Sequence, residues 1–162
     1  MGLAQDLLRQ ADHLATYEGA NPSQASLRRA VSTAYYALFH LLIGDAASRW
    51  QGSPEASTGF ERGFQHGSMR NTSIQFGNPS WKDWHRQRQP VPQPLREVAQ
   101  AFVWLQDERH TADYDNHETW STTDVEELLD ATHAAFQNWQ SIRADPMAGN
   151  FLLAMLLNKP RA

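Results

Sequence analysis

The residues of this chain best suited to chemistry lie in one short polar stretch, residues 107–115, and in a histidine just beyond it. Arginine offers a permanently charged, forked donor that suits phosphate, and histidine exchanges protons near neutral pH. Together, these two residue types suit a site that binds an anionic group and moves a proton beside it. The side chains that could supply this chemistry are Arg109, His110, Asp113, Tyr114 and His117.

A second group of polar side chains lies in a mostly apolar stretch, residues 27–42. Arg29, Tyr36 and His40 fall on one face of the helix predicted there, because steps of three and four residues share a helix face. Tyr36 and His40 also have a structural interpretation, since aromatic residues and histidines on apolar helices are most often core residues. Both interpretations stay open at this point.

A third candidate is a basic and aromatic stretch, residues 81–88, inside a proline-rich segment. Its tryptophans alternate with basic residues, a composition typical of single-strand binders, in which nucleobases stack on aromatic rings and phosphates pair with cations. On this interpretation Arg86 and Arg88 contact phosphate. The alternative is a loop whose tryptophans pack against the rest of the protein.

The sequence predicts neither a metal site nor a cofactor. The chain has no cysteine, which excludes thiolate ligands and disulfides. His110 and His117 are seven positions apart, wider than the i, i+4 spacing of histidine ligands on a helix. The formal net charge of −4 also means that any nucleic-acid site must be a local patch.

The hydrophobic pattern predicts an all-α protein, an antiparallel bundle of four or five helices in one domain, residues 1–162. The central and most buried helix is predicted from Pro22 to Gly44, or as far as Trp50. An irregular insert, holding one short helix, is expected at about residues 51–94. The other helices are predicted over residues 3–17, after Pro94, from Thr123, and over residues 147–158.

The two ends of the sequence bear on location and on partners. The first residues lack the basic start and apolar core of a signal peptide, so we expect a cytoplasmic protein. The apolar run at residues 151–157 is too short to span a bilayer. It therefore either packs into the core or meets a partner subunit.

Two motifs resemble those of the HEPN superfamily, the higher eukaryote and prokaryote nucleotide-binding domains. The first is the A-Y-Y-A motif at residues 34–37, and the second is the R-x-x-A-D-Y motif at residues 109–114. The chain is most similar in this respect to small prokaryotic members, and both motifs fall between residues 22 and 143.

This resemblance implies a helical bundle that forms a homodimer, with the polar residues of both motifs in a shared cleft. It implies binding of RNA or a nucleotide, metal-independent endoribonuclease activity in the active members, and, for several, a toxin silenced by a nucleotidyltransferase antitoxin in a toxin–antitoxin or defence pair. With it, we predict catalytic roles for the residues from Arg109 to His117 named above. The predicted RNA or nucleotide contacts are Arg29, Tyr36, His40, Arg86 and Arg88.

The chain departs from the pattern of the active members, which carry an arginine followed after four to six residues by a histidine. Here seven residues separate Arg109 from His117. Three alternatives follow: His117 acts from a distorted helix end, His110 or His40 replaces it, or Tyr114 binds phosphate without catalysis. A different class of function also stays open, a non-catalytic bundle that serves as a protein-interaction or scaffold module.

Overall fold

The computed structural model describes residues 2–50, 52–81 and 89–158, of which 77% are helical. These residues form seven helices and no strand, which confirms the all-α prediction, with more helices than the four or five expected. No helix in this part of the chain is both long and apolar enough to cross a membrane. The helices are α1 (Leu3–Thr16), α2 (Gln24–Ser48), α3 (Pro54–Arg62), α4 (His66–Gly77), α5 (Gln93–Tyr114), α6 (Thr122–Ile142) and α7 (Pro146–Leu157).

The longest helix, α2, begins two residues later than predicted, at Gln24 instead of Pro22. Ser23 caps it, since the Ser23 hydroxyl accepts a hydrogen bond from the backbone N–H of Ser26 at 3.2 Å. Glu18 in turn accepts from the backbone N–H of Ser23 at 2.6 Å. Hydrogen bonds to the Glu18 carboxylate, that from Ser26 first, lower its pKa to about 2. Because Ser23 is the capping residue, Pro22 lies in the connection between α1 and α2.

The body of α2 is buried, and the helix continues past Gly44 to Ser48. A glycine costs a helix interior only about 1 kcal/mol relative to alanine, so burial of the neighbouring side chains outweighs it. The fully buried side chains of α2 are those of Ala30, Val31, Ala34, Tyr35, Ala37, Leu38 and Leu42.

The segment predicted as an irregular insert contains two helices, α3 and α4. Ser53 caps α3 by accepting from the backbone N–H of Ala56 at 3.2 Å. α4 packs against α7, where the Thr72 hydroxyl donates to the carbonyl of Ala154 at 3.2 Å. Small polar residues give α4 the sequence pattern of a loop, yet Thr72 and Ser73 are fully buried. Their size suits the contact, because small side chains let two helices approach closely.

The chain groups into two compact units. The first comprises Met1–Leu41 and Trp104–Phe136, and the second comprises Leu42–Val103 and Gln137–Ala162. Three helices, α2, α5 and α6, contribute residues to both units. The predicted site residues that the structure describes all belong to the first unit.

A nearly buried carboxylate, that of Asp45, organises part of the second unit. Its oxygens accept hydrogen bonds from Arg49, at 2.9 Å, and from Arg143, while only 6% of its side chain is exposed. Burial by itself raises the pKa of Asp45, but the hydrogen bonds from Arg143 and Arg49 outweigh it. The pKa therefore lies below its ordinary value of 3.8.

We expect Asp45→Asn to lower the free energy of unfolding by about 1–3 kcal/mol at neutral pH, because two charge-assisted hydrogen bonds lose their anionic acceptor. Since the folded pKa is depressed, this stabilisation is present above pH 3.8 and is lost as the pH falls through the lower folded value. Thermal unfolding at a series of pH values measures the effect. The melting temperatures of the two proteins should converge only in acid, and a gap that persists in strong acid would contradict this account.

Candidate functional site

The end of α5 is held by an arginine from α2. The Arg28 guanidinium donates to the carbonyl of Ala112 at 2.9 Å, to that of Asp115 at 2.7 Å, and to that of Glu118. The last carbonyls of a helix have no partner within the helix and form the negative end of its dipole. Arg28 satisfies carbonyls at this end of α5, and its charge offsets the negative end of the dipole.

The connection from α5 to α6 is fixed in the same way by Gln24. The Gln24 amide accepts from the backbone N–H of Trp120 at 2.8 Å and donates to its carbonyl at 2.7 Å. Within the connection, the Asp115 carboxylate accepts from the backbone N–H of His117 at 2.9 Å. The backbone that carries the predicted catalytic stretch is therefore pinned at several points.

Arg109 lies against the aromatic residues of α2. Its guanidinium carbon is 5.2 Å from the ring centre of Tyr35 and 5.4 Å from that of Tyr36, both within cation–π distance. Only 12% of the Arg109 side chain is exposed. It forms an ion pair with Asp113, whose Oδ2 is 3.8 Å from Arg109 Nη1 and also accepts from the Ser32 hydroxyl at 3.3 Å.

The donors of Arg109 are not all used by the protein. Its Nε atom is buried and has no hydrogen-bond partner among the described residues. The ion pair between Arg109 Nη1 and Asp113 Oδ2, at 3.8 Å, is longer than a hydrogen bond. A buried donor without a partner costs about 1–3 kcal/mol, so such a group calls for an acceptor. A phosphate or carboxylate oxygen is the type of acceptor that a guanidinium prefers.

Tyr35 is unsuited to proton transfer. The residue is fully buried, and burial raises the pKa of its hydroxyl, although the nearby positive charge of Arg109 works in the opposite direction. Tyr35 therefore stays neutral at physiological pH. Its contribution is to hold Arg109 through the face of its ring.

A second face of the same helix end is open to solvent. His110, Tyr114 and His117 line a groove of about 420 Å³, and 68% of Tyr114 is exposed. The rings of His110 and Tyr114 lie 5.0 Å apart between centres. His110 and Tyr114 share one strip of α5, and His117 lies beyond the end of the helix in the connection. Arg109 and Asp113 share the next strip, which faces α2.

The structure thus divides the predicted catalytic residues into two adjoining groups. Arg109 and Asp113 meet Tyr36 and further residues of α2, whereas His110, Tyr114 and His117 line the groove.

The predicted binding residues on α2 are also divided. Tyr36 contacts Arg109, while His40 has its ring 5.3 Å from that of Phe39. Arg29 is exposed, and its neighbour Arg28 is the one that contacts the end of α5. The predicted contacts Arg86 and Arg88 lie outside the described residues.

Sequence reasoning missed four residues of α2 that build this region, namely Gln24, Arg28, Ser32 and Tyr35. They recur at steps of four, four and three, so they form a stripe of their own next to the one predicted. The available signal was this spacing, but the two stripes differ by one residue, about 100° around the helix. No group of three or more histidines, aspartates or glutamates in the described ranges is arranged to hold a metal ion.

Comparison with known proteins gave no match: no family model fits the chain, and no curated protein or solved structure is significantly similar to it. The resemblance to the HEPN superfamily therefore rests on the two sequence motifs alone.

Proposed function

We propose that this protein binds RNA or a nucleotide at the C-terminal end of α5, with Arg109 as the contact to phosphate. One observation carries the proposal: the guanidinium lies against two neighbouring tyrosine rings, and its buried Nε has no acceptor among the described residues. A fixed guanidinium with unused donors suits a phosphate group, because its fork loses little freedom on binding. The motifs shared with the HEPN superfamily support the same ligand class.

The exposed groove next to Arg109 suits the remainder of such a ligand. The exposed ring of Tyr114 offers a surface on which a nucleobase can stack. His110 and His117 line the same groove, and histidine can hold phosphate when protonated or exchange a proton near neutral pH. The groove therefore supports binding of RNA or a nucleotide. Cleavage is a further activity that a separate assay tests.

Arg28 reduces the repulsion that an anion would meet at the C-terminal end of α5. The C-terminal end of a helix normally repels negative charge, since its carbonyls point outward. Three carbonyls in this region are engaged by the Arg28 guanidinium, which adds a positive charge beside them. The arrangement lowers the electrostatic cost of bringing phosphate to the end of α5.

The experiment is a titration of a fluorescein-labelled single-stranded RNA with the purified protein, followed by fluorescence anisotropy. We expect saturable binding that weakens as salt rises, because phosphate contacts release counterions. Incubation with total RNA, with and without EDTA, tests for cleavage, which the proposal expects to be independent of metal if it occurs. The absence of binding even at low salt would overturn the proposal.

The wider setting follows from the same resemblance. We propose that the protein is one half of a toxin–antitoxin or defence pair whose antitoxin is a nucleotidyltransferase. Co-purification with the product of a neighbouring nucleotidyltransferase gene, where one is present, tests this setting. Recovery of the protein alone from cells that express both would count against it.

The proposal also includes a homodimer formed through α7. Phe151 and Met155 of this helix are fully buried, whereas Leu153 and Leu157 are 46% and 58% exposed. Exposed leucines on an apolar helix support a contact with a second subunit. Light scattering at micromolar concentration should therefore give twice the chain mass of 18.4 kDa, and Leu153→Glu should halve the measured mass. A wild-type protein with the mass of one chain contradicts this part of the proposal.

A further inference from the structure

The first unit has a second groove, of about 520 Å³, on a face of α5 different from the one that carries Arg109. Trp104 and Glu108 of α5 line it together with Glu118 of the connection and with Asp124 and Glu127 at the start of α6. All the charged residues that line this groove are acidic. Its charge is therefore opposite to that of a phosphate site.

The carboxylates of this groove oppose one another. Burial raises the pKa of Glu108, a hydrogen bond from Trp104 works in the opposite direction, and the negative charges of Glu118 and Asp124 raise the pKa further. A cation placed among these groups relieves their repulsion.

Trp104 adds an aromatic surface to the same groove. The residue is 37% exposed, so part of its side chain is accessible from the groove. A guanidinium can stack on an indole face while its N–H groups donate to neighbouring carboxylates. An exposed tryptophan beside Glu108 and Glu118 therefore fits an arginine side chain.

Trp120 gives an independent indication of the ligand. It lines the groove although only 7% of it is exposed, and its Nε1 has no hydrogen-bond partner in the described part of the chain. An indole N–H can only donate, so it requires an acceptor, which a simple cation does not offer. A peptide offers both the cation, in a side chain, and the acceptor, in its backbone carbonyls.

We propose that this groove binds an arginine-containing segment of a partner protein. The carboxylates and Trp104 receive the arginine side chain, and Trp120 Nε1 donates to a backbone carbonyl of the segment. A groove of this size can hold a few side chains with their backbone. This groove adjoins the one lined by His110, Tyr114 and His117, since Thr111 and Asp115 line both, but the proposal does not rest on RNA or nucleotide binding at Arg109.

The test is a titration of a short fluorescein-labelled peptide of alternating arginine and glycine with the full-length protein. The double variant Glu118→Gln/Glu127→Gln should bind it about tenfold more weakly, because each exposed charge pair is worth a few-fold in affinity. The control is Glu126→Gln/Glu61→Gln, which removes the same charge from exposed positions that do not line the groove. This control should bind like the wild type.

A third variant, Trp104→Leu, keeps every carboxylate and should weaken peptide binding about threefold through loss of the cation–π contact. Thermal unfolding of each variant checks that the fold is intact. The labelled RNA should bind the Glu118→Gln/Glu127→Gln variant no more weakly than the wild type. No binding of the peptide by the wild type, or equal weakening in the two double variants, would overturn the proposal.

Discussion

Arg109→Ala is expected to abolish binding of the labelled RNA and to lower the free energy of unfolding by about 1–3 kcal/mol. Binding is lost because the alanine leaves no donor for phosphate at the end of α5. Stability falls because two ring contacts and the packing of a largely buried side chain disappear. From the sequence alone Arg109 is expected to be exposed and neutral for stability, but the structure exposes only 12% of its side chain.

Two further variants distinguish loss of a phosphate contact from a general loss of stability. Arg109→Lys preserves the positive charge but not the fork, and it should retain only a small part of the RNA affinity. Arg62→Ala removes an equal charge from an exposed position in the second unit and should change neither binding nor stability. If the Arg109→Ala protein remains folded and binds RNA as tightly as the wild type, Arg109 is a structural residue and the site assignment fails.

Arg28→Ala is expected to lower the free energy of unfolding by about 2 kcal/mol and to weaken RNA binding indirectly. The carbonyl of Ala112 in the last turn of α5 and two carbonyls of the following connection lose a charged donor. Each such hydrogen bond contributes about 1.5–3 kcal/mol when well shielded from water. We expect less than the sum because the side chain is partly exposed.

Urea unfolding measures the loss of stability in the Arg28→Ala protein, and amide hydrogen exchange locates it. Exchange should accelerate most in residues 115–118, where the backbone is no longer held. The neighbouring Arg29→Ala is the matched control, since Arg29 is exposed and its replacement should alter stability by less than about 0.5 kcal/mol. Equal effects of the two substitutions would contradict the role given to Arg28.

The helical class could be predicted because apolar residues recur with a helical period in the longest segments. The helix α4 could not, because its buried positions include Ser68, Thr72 and Ser73 in place of large apolar residues. Its burial depends on the contact with α7, which is distant in sequence and leaves no periodic signal in α4 itself. The predicted start of α2 was wrong for a related reason. The Glu18 carboxylate, which precedes the helix, accepts a hydrogen bond from the backbone N–H of Ser23, and the hydrophobic pattern carries no sign of this contact.

Only some of the contacts in the candidate site could be predicted from the sequence motifs. The sequence placed Arg109, Asp113 and Tyr36 together, and the structure brings these three side chains to one place. The sequence could not distinguish between two polar stripes of α2 that lie one residue apart. Arg29 was therefore predicted as a contact, whereas Arg28 is the residue that binds the end of α5. Nor could it show that His110 and Arg109, adjacent in sequence, point to different faces, because that depends on which face of α5 packs against α2.

The most direct test of the account is an NMR titration that observes the Nε–H signal of Arg109 itself. The signal is assigned by its disappearance in Arg109→Lys, and a short single-stranded RNA is then added to the labelled wild-type protein. The account predicts a saturable shift of this signal, with the signal of the exposed Arg62 unchanged, because a phosphate oxygen becomes the acceptor that Nε lacks within the described chain. An Arg109 signal that does not move while the RNA is bound would contradict it.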